Sequence, residues 1–241
     1  MAVVRATVSG RRAAGRRALL HLGAAGTLAT AALAIAAPAF ARDAKKKADE
    51  EISPPEDLMR EHAVLDRVML IYENGLRRAN QGEDIDPAVF VQSATIVRDF
   101  IHDYHEKSEE DLIFPQFKKA GRMIELVNVL LVQHGAGRKL TERILAAAPQ
   151  ARTREPREKM GRDIQAFITM YRPHEAREST DLFPTLRQLV TSDELEEIGD
   201  EMEKRERQKF GADGFETMAK KVAEVEKVIG LYDIDVFTPK S

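Results

Sequence analysis

The chain has 241 residues, 43% hydrophobic and 32% charged, with few aromatics, no Trp and no Cys. The absence of cysteine excludes disulfides, thiolate catalysis and Cys-held zinc or iron–sulfur sites. Five arginines and no acid fall within 1–41, so 32 of the 37 basic residues face all 40 acidic ones across 42–241, a balance of −8 that offers nucleic acid no footprint.

In chain order, 1–41 reads as an export address. An arginine-rich start leads into an apolar Ala/Leu/Gly run and then Ala39-Phe40-Ala41, the small-x-small pattern of a cleavage site after Ala41. Arg16-Arg17 directly before Ala18-Leu19-Leu20 resembles the twin-arginine signal, which implies export of a folded protein to the periplasm or beyond, with no stable membrane anchor after cleavage. Residues 42–52 are a charged linker. Ser53-Pro54-Pro55-Glu56 opens a first helix, with Ser as N-cap, proline at N1 and a capping-box Glu; it runs to about Asn80. Asp86-Pro87 opens a second helix, closed by Lys118, Lys119 and Gly121. A third spans about Arg122 to Ala148, and a fourth runs from Thr153 to near Val190. Thr191 and Glu194 form another capping box before a charged fifth helix, and Gly211 and Gly230 bracket a sixth. The short loops fit antiparallel neighbours. The expectation is an all-α chain, an up-down-up-down four-helix bundle over 53–190 with two additional C-terminal helices over 191–241.

Within the bundle one phrase occurs twice. His105-Glu106-x-x-Glu109 and His174-Glu175-x-x-Glu178 are 69 residues apart, and each continues to a Phe-Pro pair, Phe114-Pro115 and Phe183-Pro184. On a helix the His and the Glu four later share one face. The other two helices each place one His in an apolar stripe, His62 after Leu58 and His134 after Leu130. Alone, any of these histidines is most simply a hydrogen-bonded core residue. Together, four imidazoles and two carboxylates in one apolar core need a compensating partner, and divalent cations supply it. Imidazole with carboxylate suits iron, manganese, zinc or nickel. Neither Glu-x-x-His nor His-Glu-x-x-His occurs.

A lone His, H-x-x-x-E, a lone His and H-x-x-x-E on successive helices resemble the hemerythrin-like, or HHE cation-binding, family. The resemblance implies a non-haem di-iron centre, two iron ions with an oxo or hydroxo bridge, held by His62, His105, Glu109, His134, His174 and Glu178, with the two glutamates bridging. The oxygen-carrying hemerythrins have H-x-x-x-H on the third helix and an aspartate bridge; here Arg138 and Glu178 stand at those places. The four-histidine variant resembles bacterial proteins linked to nitric oxide, iron–sulfur repair or oxygen sensing. It implies an exported protein that binds dioxygen or nitric oxide as sensor, scavenger or stress-response protein. The alternatives are an enzyme reducing nitric oxide or peroxide, which needs a redox partner protein, and an iron storage or delivery protein.

Around these six, Asp66 is placed to orient His62, Tyr171, one turn before His174, to donate a hydrogen bond to a bound ligand or relay an electron, and His102 to serve as a solvated or supporting group rather than a ligand. Glu110 and Glu175, one position off the metal face, read as solvent-facing. The fifth and sixth helices offer a partner surface outside the bundle.

Overall fold

The computed structural model describes residues 52–239; the export segment expected at 1–41 and all but the last residue of the linker lie outside them. The described residues are helical and include no strand. Helix α1 (Pro54–Asn80) starts where the sequence places it: Ser53 is extended, and its backbone N–H and hydroxyl both donate to the Glu56 carboxylate, at 3.3 and 2.6 Å. Helix α2 (88–120) begins with the Ala88 N–H donating to the Asp86 carboxylate at 3.0 Å and ends at Gly121, whose φ of 64° needs no Cβ. Helix α3 (Ile124–Ala147) passes into a 3₁₀ turn, Ala148–Gln150, at Pro149. Helix α4 (154–189), α5 (Ser192–Phe210) and α6 (Gly214–Ile229) follow, with the Thr191 and Glu194 side chains bonding each other's backbone N–H at the start of α5.

Two of these helices are not uniform. In α2, α-helical Ala88–Ile96 gives way to π-helix at Val97–His105 and again at Glu109–Ile113; in α4, Arg154–Arg177 gives way at Glu178–Leu182. The second π-turn of α2 and that of α4 are the same device. Each starts at the glutamate of H-x-x-x-E and is closed by the N–H of the following Phe, Phe114 onto the Glu109 carbonyl and Phe183 onto the Glu178 carbonyl. The next residue is proline, Pro115 or Pro184, which has no N–H for the carbonyl four residues back and crowds it with its ring. Widening the preceding turn by one residue relieves both, and the wide turn falls on the glutamate.

Apolar side chains gather in two clusters. The larger contains Leu65, Met69, Ile101, Leu140, Phe167 and Tyr171; the smaller contains Leu58, Ile113, Phe114, Leu130, Leu182 and Phe183. Each helix from α1 to α4 passes from one cluster to the other through its histidine: Leu58 to His62 to Leu65, Ile101 to His105 to Ile113, Leu130 to His134 to Leu140, Tyr171 to His174 to Leu182. The histidines therefore form a polar layer between two dry ones.

Helices α5 and α6 each bury one face against the other helices. α6 buries Met218, Val222, Val225 and Ile229 in the larger cluster against α1 and α2, and Arg67 of α1 grips its Glu226 at 2.6 and 2.9 Å. α5 buries Ile198 and Met202 in the smaller cluster, beside α1. Among the described residues no helix is long and apolar enough to cross a membrane.

Candidate metal centre

The π-turns and the two-cluster packing deliver all six sequence-named side chains to one place. His62, His105, Glu109 and Glu178 each offer a donor atom within 4.8 Å of the others, as do His134, His174 and Glu178. Nε2 of every histidine faces a carboxylate: His62 and His174 lie 3.3 and 3.2 Å from Glu178, and His105 and His134 lie 3.7 and 3.4 Å from Glu109. Both glutamates thus stand between a pair of imidazoles and are completely buried.

The opposite ring nitrogens are all engaged. His105 Nδ1 lies 2.6 Å from the Glu61 carboxylate, His134 Nδ1 3.1 Å from Glu110, His174 Nδ1 2.9 Å from the Gln133 carbonyl oxygen, and His62 Nδ1 3.0 Å from the Ser179 hydroxyl. The oxygens of Glu61, Glu110 and Gln133 can accept from Nδ1–H of His105, His134 and His174, the Ser179 hydroxyl can accept from His62 or donate to it, and Nε2 of each ring turns toward the two glutamates. With Nδ1 protonated, this is the arrangement and the outer support that metal-binding histidines require.

Inside that ring the polar groups lack partners. Both oxygens of Glu109, both of Glu178, and Nε2 of His62 and His134 are buried without a hydrogen bond. At about 1–3 kcal/mol for each buried orphan, these six atoms would cost on the order of 10 kcal/mol, as much as the entire net stability of a typical domain. Burial and the neighbouring charge of Glu178 push Glu109 up to about 7. Burial opposes the charge on Glu178 as well, but His174 and His62 outweigh it and hold that carboxyl well below its usual range. Two carboxylates and four imidazole lone pairs, fully desolvated and pointing inward, fit divalent cations, which would satisfy all of these groups at once.

The family model of the hemerythrin HHE cation-binding domain matches residues 53–186, in agreement with this geometry. The chain belongs to the hemerythrin HHE family. Members of this family bind metal cations, typically iron. Two similar relatives are the uncharacterized proteins Rv1995 of Mycobacterium tuberculosis and Mb2018 of Mycobacterium bovis, each 41% identical over 235 residues that cover 94% of this chain and 92% of the relative. No solved structure matches significantly.

In this HHE chain a second polar network adjoins the centre. Glu106 is buried; one oxygen accepts from the Tyr171 hydroxyl at 2.6 Å and lies 2.9 Å from His102 Nδ1, while the other meets Arg138 at 2.9 Å. His102 Nε2 lies 2.8 Å from the Thr141 hydroxyl, so His102 is a buried supporting group and not a solvated one. Arg138 also reaches Glu110, at 2.7 Å. The residue that stands where oxygen carriers have a fifth histidine therefore fills the carboxylate cluster of Glu106 and Glu110 with its own charge. Tyr171 packs its ring 5.4 Å from that of His174, within the space left by Gly137, where a Cβ would fall 1.8 Å from the Tyr171 oxygen.

Three sequence expectations are corrected. Asp66 is exposed and does not orient His62; Ser179 does. Glu110 is not free in solvent, because it joins His134 to Arg138. Glu175 is buried rather than solvent-facing, and desolvation, with Asp66 nearby, pushes it to about 9. Sequence reasoning also missed Glu61, Gln133 and Ser179. Each adjoins a predicted ligand in the chain but serves a histidine on another helix.

Proposed function

We propose that this chain is a non-haem di-iron protein that binds dioxygen or nitric oxide at a His4Glu2 centre and acts outside the cytoplasm as a sensor, scavenger or stress-response protein. The observation that carries the reading is the division of labour at the four histidines: every Nδ1 is held by an outer hydrogen-bond partner, and every Nε2 faces Glu109 or Glu178. His62, His105, Glu109 and Glu178 would hold one ion, and His134 and His174 the other, with Glu109 and Glu178 shared between them. Bound there as ferrous ions, the pair would supply two electrons and a place for a diatomic ligand. The protein excludes water with the aromatic rings of Phe114 and Phe183, which stack on His134 and His62 at 5.6 Å. The alternating order in which α1 to α4 meet the two apolar clusters supports an up-down-up-down bundle.

Export before use is part of the proposal and rests on Arg16-Arg17 and Ala39-Phe40-Ala41. A site filled before export is protected from competing divalent ions outside. Replacing both arginines by lysine should abolish export, and unchanged export would remove that part.

The test of ligand binding is spectroscopic. A visible charge-transfer band that bleaches on anaerobic reduction, and a new band on exposure of the reduced protein to nitric oxide or dioxygen, would support the reading. A protein that shows no change with either gas does not bind them at this centre.

A further inference from the structure

The two halves of the site are related by an offset of about 70 residues, and at one pair of related positions they differ in sign. The residue four after the lone histidine is Arg138 on α3 and Asp66 on α1, and the glutamate after the paired histidine is Glu106 on α2 and Glu175 on α4. On the α2/α3 side Arg138 meets Glu106 at 2.9 Å and closes that end of the centre with a cation of its own. On the α1/α4 side its counterpart is an acid.

The acid lines a cleft. Between α1 and α4 a depression of about 390 Å³ is walled by Ala63, Asp66, Glu175 and Ala176 and reaches His62 and Ser179. Glu175 is only 7% exposed, and its Oε2 has no hydrogen-bond partner. Arg172 also lines the cleft, with its guanidinium drawn to Glu73 at 2.7 Å. At the floor stands His62, with Nδ1 on Ser179 and Nε2 3.3 Å from Glu178, so this imidazole separates the cleft from the centre.

We propose that the α1/α4 cleft is a capture site for a divalent cation on its way to the centre, with Asp66 and Glu175 as the carboxylates that take it from solvent. The inference rests on the di-metal reading of the centre. Paired hard oxygen donors in a concave, low-dielectric cleft concentrate cations. A neutral diatomic gas gains nothing from two acidic side chains, whereas a divalent ion is drawn by Asp66, displaces the proton from buried Glu175 and needs a place to shed water before it meets the imidazoles. At the opposite end Arg138 already supplies a cation to Glu106 and Glu110.

The test follows ferrous iron entering the metal-free full chain, and iron leaving the loaded protein to excess chelator, both by absorbance. Asp66→Asn with Glu175→Gln should slow loading at least tenfold while the final iron content per chain stays that of the parent. Ala176→Phe, which narrows the cleft without altering charge, should slow both loading and release, and it serves if the double variant does not fold by circular dichroism. Loading and release at parental rates in these variants would overturn the capture site while leaving the centre intact. A fall in final iron content would also overturn it, because the carboxylates would then hold the resident ions rather than pass them on. If the parent chain itself takes up no metal, the centre fails and the capture site fails with it.

Discussion

His105 Nδ1 and the carboxylate of Glu61 lie 2.6 Å apart with both residues buried, and the related pair, His174 Nδ1 and Gln133, lies at 2.9 Å with a neutral amide in place of the acid. The same histidine role is thus supported by a carboxyl group in one half, which burial pushes well above its usual range, and by an amide in the other. A carboxylate makes the imidazole a stronger donor to a metal. Glu61→Gln should lower metal affinity roughly 10- to 100-fold, whereas Gln133→Glu should raise it, each measured by competition with a chelator. Equal affinities in both variants would show that the acceptor's charge is immaterial.

Gly137 is required by Tyr171. A Cβ there would sit 1.8 Å from the Tyr171 oxygen and 2.6 Å from the ring carbon that carries it. Gly137→Ala should destabilise the protein by about 2–4 kcal/mol, overpacking together with loss of the buried Tyr171–Glu106 bond exceeding the ~1 kcal/mol helix gain of alanine. Adding Tyr171→Phe should recover part of that loss, since the nearest clash goes and the ring clash stays. Denaturant melts of the single and double variants would show it.

Glu175 gives a pH dependence with a definite sign. Burial, then Asp66 and Glu178, raise its carboxyl from 4.5 to about 9, with Arg172 opposing. The metal-free native state therefore keeps a proton that the unfolded chain has released and that a cation in the α1/α4 cleft would displace. The stability this group contributes is complete below about 4.5 and declines as pH rises through about 9. Glu175→Gln, which cannot ionise, should melt at a temperature that exceeds the parent's by a margin growing from pH 6 to pH 9. A constant margin would mean that Glu175 is ionised throughout.

The prolines set the π-turns that place the two central glutamates. In Pro115→Ala or Pro184→Ala the restored N–H can close an α-turn and draw Glu109 or Glu178 out of register. Each variant should stay helical and lose metal affinity by at least tenfold, and normal affinity in both would show that the wide turns do not depend on proline.

The parts of this molecule readable from its sequence are those encoded by local chemistry. Ser53 with Glu56, Thr191 with Glu194, and Gly121 and Gly230 mark helix ends because caps act within three or four residues. The H-x-x-x-E repeats and the lone His62 and His134 stood out because helical spacing puts them on one buried face. What failed was anything that depends on where a neighbouring helix lies. Glu110 and Glu175 looked solvent-facing on their own helices, but Arg138 of α3 covers one and Asp66 of α1 flanks the other. A regularity was nevertheless present: Glu61 and Gln133 each precede a lone histidine, and Glu110 and Ser179 each follow a paired glutamate, so the outer partners repeat with the same offset as the ligands. The π-turns were announced by E-x-x-x-x-F-P, a signal that has meaning only once proline's missing donor is counted.

The most direct test of the central claim is metal content per chain by elemental analysis, on the protein from Arg42 onward and on its Glu109→Ala and Glu178→Ala variants. Two irons are expected in the parent, at least one lost in each variant, and none lost in His102→Ala, whose nitrogens are bonded to Glu106 and Thr141. A single zinc, no metal, or undiminished iron in both glutamate variants would contradict it.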